Sequence, residues 1–173
     1  IPPQMREGAD WYGGLFSAMR QNRYLIERNA ERFVLTLEGD LVYRMDYAEL
    51  IRYHRERGAV ITAACRGPGS GPKPAMAFDL AGEDRVRGLV SSEAVASGAG
   101  CAPMGVYLFN RDFLLDMLGS AEAVVTADQV PVAEAVANLA GSNEVSVYRF
   151  GGERGRVSPD RYWNDLRSID EYY

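Results

Sequence analysis

The sequence predicts an α/β fold, with a mostly parallel sheet flanked by helices. Three observations carry that reading. Phe33–Leu37 and Ala59–Cys65 are short, mainly apolar runs, the pattern of strands covered on both faces. Stretches of helical period stand before and between them, so the order is helix, strand, helix, strand, as in a parallel α/β protein. The first run closes on Glu38-Gly39-Asp40. A glycine that lets the chain turn and a carboxylate therefore stand at a strand's carboxyl edge, where open α/β sheets bind ligands.

The totals suit such a fold. The 173 residues suffice for one domain with a real core, and 47% hydrophobic with 25% charged residues is ordinary globular composition. A net charge of −5 and a pI near 5.0 imply no general affinity for nucleic acid or membrane surfaces. No apolar run approaches the length of a membrane-spanning helix, and no signal peptide is evident. Cys65 and Cys101 lack metal or redox spacing, and with His54 the lone histidine a zinc site is not expected; two ordinary thiols in a reducing cytosol are. Of the 19 basic residues only Lys73 is a lysine, so any mechanism needing several lysines must find them elsewhere. The chain opens Ile1-Pro2-Pro3 rather than on methionine, and we read it as part of a longer polypeptide.

Residues 1–10 read as a leading loop. From Trp11 the positions Leu15, Ala18, Met19, Asn22, Leu25 and Ile26 fall mostly at helical spacing, predicting one helix to about Asn29. Gly13 and Gly14 stand at its start. Paired glycines there either let a ligand reach the helix N–H groups or reflect loose packing. After the strand at 33–37, Leu41–Met45 reads as a connector. Asp46 with Glu49 has the form of a capping box. The helix from Tyr47 places Tyr47, Leu50, Ile51 and His54 on one apolar stripe, so His54 reads as a core histidine with a satisfied ring rather than a catalytic one. Arg55 and Arg57 suit the last turn and Gly58 the stop.

Residues 66–74, rich in glycine and proline, read as a loop. Ala75–Leu80 and Arg85–Val90 flank Ala81-Gly82-Glu83-Asp84 and predict a β-hairpin. Residues 93–102 are small and Gly-rich. Met104–Phe109 is a further strand, with Asn110 placed to cap a helix over 111–118 that ends at Gly119. Pro131 suits the first turn of a helix carrying Val132, Ala135, Val136 and Leu139. Val145–Phe150 is a late strand, Gly151–Val157 a turn, and a short helix starts at Ser168. No internal repeat or second domain is visible.

Asp40 is the residue with chemistry to offer. A carboxylate at a sheet edge holds Mg²⁺ beside a phosphorylated substrate, because Mg²⁺ takes oxygen ligands from protein, water and phosphate together; capping of the following turn is the plainer alternative. Nucleotidyl transfer needs in-line geometry and neutralised phosphate charge more than covalent help. Asp165, far along the chain, is the second candidate carboxylate.

Three stretches, in order, carry a family resemblance: Trp11-Tyr12-Gly13-Gly14, then Gly39-Asp40-Leu41-Val42-Tyr43-Arg44-Met45-Asp46-Tyr47, then Tyr162-Trp163-Asn164-Asp165-Leu166. Met104-Gly105-Val106-Tyr107-Leu108-Phe109 fits the strand between them. Together they resemble the middle and later catalytic domain of glucose-1-phosphate adenylyltransferase (ADP-glucose pyrophosphorylase). The resemblance implies that residues 1–173 form a single, partial nucleotidyltransferase domain. Its fold would be Rossmann-like, of the nucleotide-diphospho-sugar transferase type, truncated before its Gly-rich nucleotide loop. It implies a cytoplasmic, oligomeric enzyme of glycogen biosynthesis that joins ATP and glucose 1-phosphate into ADP-glucose and pyrophosphate with Mg²⁺, acting on neither nucleic acid nor membrane. By that analogy Asp40 and Asp165 hold the metal, and Tyr12, Gly39, Gly105 and Trp163 belong to the substrate pocket. The chain also departs from the family. Ser91-Ser92-Glu93 stands where the family carries Glu-Lys-Pro, whose lysine grips the sugar phosphate, and a serine hydroxyl cannot neutralise that charge. Pro74 and Pro103 replace a glycine and a serine, and Gly14-Leu15-Phe16-Ser17 replaces Gly-Thr-Ala-Asp. The alternative these departures raise is a non-catalytic regulatory subunit or divergent paralogue that binds an active partner.

Overall fold

The computed structural model describes residues 12–67, 76–91, 100–151 and 162–166. The predicted leading loop, the Gly/Pro loop beyond Gly67, most of residues 93–102, the turn past Gly151 and the helix from Ser168 lie outside the described residues. The strands are β1 (Phe33–Leu37), β2 (Leu41–Tyr43), β3 (Ile61–Arg66), β4 (Met76–Ala81), β5 (Arg85–Ser91), β6 (Ala102–Asn110), β7 (Val145–Arg149) and β8 (Trp163–Asp165). The helices are α1 (Leu15–Gln21), α2 (Arg23–Arg28), α3 (Tyr47–Arg57), α4 (Arg111–Gly119), α5 (Ala121–Asp128) and α6 (Val132–Leu139).

Six strands form one sheet in the order β1-β6-β3-β7-β5-β4, and β2 and β8 form a separate ribbon. The α/β class holds, but the neighbours are mostly antiparallel. β6 runs antiparallel to both β1 and β3, and among the described strands only β3 and β7 pair in parallel. β1, β3 and β7 therefore share one direction, as the helix–strand order implies. β6, from later in the chain, slots between the first two in the opposite sense. A run of apolar residues reports cover on two faces and carries no information about a neighbour's direction.

That double cover is visible residue by residue. Ile61, Ala63 and Cys65 of β3, Tyr107 and Phe109 of β6, and Val145 and Val147 of β7 pack with Phe16, Leu114, Leu118 and Val136 from the helices. The alternate residues Ala64, Met104, Val106 and Leu108 face the other way, against Leu50 of α3 and the aromatic side chains Tyr43 and Trp163 of the ribbon. The period of two along each strand assigns its residues to the two layers. Leu50 has no exposed surface, and burial of such a side chain is worth roughly 1.5–3 kcal/mol.

Local signals placed many elements where expected. The helix over 47–57 runs from Asp46, whose side chain accepts from the Ala48 N–H at 2.9 Å, to Gly58 at φ 65°. Glu49, the candidate partner in a capping box, pairs with Arg52. The hairpin β4–β5 forms with an irregularity between Asp79 and Leu80. Four readings are corrected. The single helix from Trp11 is two, because Asn22 turns out of helical geometry and its amide donates back to the Ala18 carbonyl at 2.9 Å, a bond that competes with the helix ladder. Leu41–Met45 is no mere connector, since Leu41–Tyr43 pairs with Trp163–Asp165; a three-residue strand exists only through its distant partner. Asn110 stands at the N-cap of α4 but makes no side-chain cap, its amide being spent on His54 and Ala59. Gly119 is the last residue of α4 rather than its stop, and Ser120 then caps α5, a helix the sequence reading did not anticipate.

The start of α1 shows what a long-range contact adds. Gly14 is the N-cap and has no side chain to cap with, and the first turn holds no acid. Asp128, 112 residues away, supplies the acceptor: its carboxylate takes the Phe16 N–H at 3.0 Å and the Ser17 N–H at 2.7 Å. A Cβ on Gly14 would collide with that carboxylate. Neither earlier account of the paired glycines holds at Gly14, where the chain's own side chain fills the place. Asp128→Ala is expected to destabilise the fold by about 1–2 kcal/mol, the cost of a lost cap, read as a lower denaturant midpoint with unchanged slope.

Candidate functional site

The candidate site grows from the carboxyl end of β1. The ladder to β6 continues past Leu37, with the Glu38 N–H donating to the Gly105 carbonyl at 3.0 Å. There β6 bulges: its pairing with β3 shifts between Ala63–Tyr107 and Cys65–Pro103. Gly105 sits within the bulge at φ 73°, left-handed backbone that a glycine adopts without penalty. A Cβ there would lie 2.7 Å from the Glu38 carboxyl carbon and 2.9 Å from Leu41 Cδ1. Gly105 therefore lets β6 press against Glu38 and Leu41, and sets the position of the turn that carries Asp40.

After that turn the chain enters the β2–β8 ribbon. Leu41 pairs with Asp165, Val42 with Asn164 and Tyr43 with Trp163, and the Leu166 N–H donates to the Asp40 carbonyl at 2.8 Å. The two stretches that carry the candidate carboxylates are thus hydrogen-bonded neighbours. Asp40 is half-buried; the side chain of Asp165 lies outside what is described. Trp163 is held from below. The guanidinium of Arg66, 4% exposed at the carboxyl end of β3, stacks on its ring at 4.5 Å, a desolvated cation–π contact. The indole Nε1 is buried with no hydrogen-bond partner. Sequence reasoning passed over Arg66 because it opens a Gly/Pro-rich stretch that looked wholly like loop. Among the other predicted residues, Gly39 is in the turn itself and Gly105 abuts it. Tyr12 is tied to the α1–α2 break, taking a hydrogen bond from Asn22 Nδ2 at 3.1 Å.

Among the described residues no group of three or more His, Cys, Asp or Glu side chains could hold a metal ion. Cys65 and Cys101 are buried free thiols, and burial pushes the Cys65 thiol up from its ordinary value. No helix among the described residues is long and apolar enough to cross a membrane.

His54 has a structural post, as its place on the apolar stripe implied. Its ring is 1% exposed, with Nδ1 2.7 Å from Thr62 Oγ1 and Nε2 3.1 Å from Asn110 Oδ1. The Asn110 amide nitrogen donates to the Ala59 carbonyl, which orients its oxygen toward the ring. Nε2 therefore carries the proton and Nδ1 accepts from Thr62. Burial lowers the His54 pKa from its ordinary 6.5. Below that value the unfolded chain takes up a proton the native ring resists. The stability His54 contributes is thus present above about pH 6.5 and lost as pH falls below it toward the lower folded value. Unfolding free energy measured between about pH 7.5 and 5.5 is expected to decline less in His54→Gln than in the parent.

Known proteins are similar to this chain in sequence along its whole length. The nucleotidyl transferase family model matches residues 2–173. The chain is 35% identical over its whole length to glucose-1-phosphate adenylyltransferase 2 of Vibrio parahaemolyticus, covering 45% of that protein. It is 29% identical, again throughout, to glucose-1-phosphate adenylyltransferase of Methylococcus capsulatus, covering 42% of it. The chain thus spans less than half the length of these curated relatives. With a family model matched from end to end and relatives of one kind aligned over every described element, the chain belongs to the nucleotidyl transferase family.

Proposed function

We propose that this chain is part of a sugar-phosphate nucleotidyltransferase that joins ATP and glucose 1-phosphate into ADP-glucose and pyrophosphate, as the names of its relatives suggest. In this reaction an oxygen of the sugar phosphate attacks the α-phosphorus of ATP. The bond from that phosphorus to the bridging oxygen of the β-phosphate breaks, and pyrophosphate leaves with the electron pair. The single observation that carries the reading is the β2–β8 ribbon, which brings the segments of Asp40 and Asp165 together at the carboxyl end of β1.

The donor chemistry fits Mg²⁺. That ion is usually held by one or two carboxylates with the remaining positions taken by water and substrate phosphate, so Asp40 and Asp165 suffice without a third protein ligand. When bound it neutralises developing phosphate charge. The protein's part is positioning. Asp40 is presented by a turn set by Gly39 and Gly105, Arg66 orients the Trp163 ring beside it, and Tyr12 and Trp163 contribute to the sugar-phosphate pocket. Buried free thiols accord with a reducing, cytoplasmic setting, and we place the protein there, as a homo- or hetero-oligomer like its family.

The test is a coupled pyrophosphate-release assay on the full-length native protein with ATP, glucose 1-phosphate and Mg²⁺. Turnover above blank, abolished by chelator, is expected. Absence of glucose 1-phosphate-dependent release at saturating substrate would overturn the reading.

A further inference from the structure

We infer a second binding site in the helical layer, for a small molecule with an apolar body and a protonated amine. A hollow of about 420 Å³ opens between the end of α4, α5 and α6. Its apolar residues pack on the side of the sheet that holds Phe16 and Leu114, whereas the ribbon with Trp163 covers the other side. The sheet therefore separates the hollow from the Asp40 rim, and the site is independent of the nucleotidyltransferase reading.

The floor is apolar. Met117 from the last turn of α4, Ala123 and Ala127 of α5, Val130 after it and Leu139 of α6 line it. Ala123 and Ala127 stand one turn apart, hence side by side on α5. Their methyl groups leave volume that longer side chains would fill. A concave, mainly apolar site of this size, with a few polar groups at its mouth, is the usual form of a small-ligand site.

Charge selects the ligand. Glu122 is the one charged residue that lines the hollow, and among the described residues it takes part in no ion pair. Arg23, whose guanidinium lies against Gly119 at the end of α4, pairs with Glu27 instead. Glu122 stands in the first turn of α5, where a carboxylate complements the helix dipole; that accounts for an acid there but supplies no cation for it. Thr126 is one turn along α5 on the same side, and Asn138 lines the mouth from α6. All three side chains are exposed. Carboxylate, hydroxyl and amide oxygen each accept a hydrogen bond, and an ammonium brings three N–H donors and no acceptor. Ser120, the remaining polar residue, already accepts from the Ala123 N–H as the cap of α5. A phosphate or carboxylate would meet Glu122 as a like charge, so anions are turned away. An aromatic ring or short alkyl chain fills the floor while its amine stays at the mouth.

The experiment uses the full-length native protein. Phenethylamine and its neutral counterpart phenethyl alcohol, in separate arms, are titrated at constant ionic strength and followed by saturation-transfer NMR. Saturable binding of the amine is expected in the parent. Glu122→Gln should weaken the amine by about 5-fold and leave the alcohol unchanged. Ala127→Leu should fill the floor and abolish binding of the amine. Glutamine keeps the size of an exposed side chain, and leucine is a good helix former at a half-buried position, so parent-like unfolding midpoints are expected for both. A second measurement needs no variant: added salt should weaken the amine and spare the alcohol. A hollow covered by another part of the full-length protein would give no saturable binding, and that result would overturn the proposal. So would an amine affinity indifferent to Glu122→Gln, to Ala127→Leu or to salt.

Discussion

Asp40→Asn in the full-length protein is expected to lower Mg²⁺-dependent turnover by on the order of 10³-fold or more while leaving the fold intact. Asparagine keeps the size of the side chain and removes its charge, so the loss falls on metal binding rather than on packing. Asp40 is half-buried at a turn, and one of its bonds, from the Leu166 N–H, is to its carbonyl, which the substitution keeps. A stability change within about 0.5 kcal/mol is therefore expected. The two measurements are a Mg²⁺ titration of pyrophosphate release and a denaturant unfolding curve. Parent-like turnover at parent-like Mg²⁺ concentrations would remove Asp40 from the metal site, whatever became of the overall activity.

Gly105→Val should give the largest effect on stability, a loss of about 1–3 kcal/mol. Two costs add. A β-branched residue at φ 73° is strained by its own backbone. Its Cβ would also meet the ends of the Glu38 and Leu41 side chains, at 2.7 Å and 2.9 Å, which must swing aside to admit it. Gly105→Ala carries the same collision with fewer atoms and is expected to fall between parent and valine. Because Glu38 and Leu41 bracket the turn bearing Asp40, turnover at a temperature where Gly105→Ala stays folded should fall as well. A valine variant with a parent-like melting midpoint would show that the bulge is not under the constraint described.

Much of the architecture was legible in advance, and the instances share a cause. The helix over 47–57 announced itself by an apolar stripe, an aspartate before it and a glycine after it, all within a dozen residues. The hairpin β4–β5 needed only two strand-like runs about a four-residue turn. His54 was placed in the core by its spacing alone. Each of these depends on interactions between residues a few positions apart, and sequence displays those directly. The resemblance carried by Gly39–Tyr47 and Tyr162–Leu166 added the family, and with it both candidate carboxylates. What stayed hidden was contact between distant segments. Nothing near Leu41 says that it pairs with Asp165, and nothing near Gly14 says that Asp128 will cap its helix. The stacking of Arg66 on Trp163 was hidden for the same reason.

By itself, then, the chain's sequence determined the helix over 47–57, the strands around 33–37, 59–65, 104–109 and 145–150, the β4–β5 hairpin, and that an aspartate stands where β1 ends. Those properties follow from periodicity, capping and turn chemistry, which act locally. Only the tertiary structure decided that β6 enters between β1 and β3 in the opposite sense, that the ribbon carries residue 165 to residue 40, and that Arg66 is buried against Trp163. Strand direction, pairing partner and the neutralisation of a charge are settled by groups brought together in space, and a linear pattern holds no record of them.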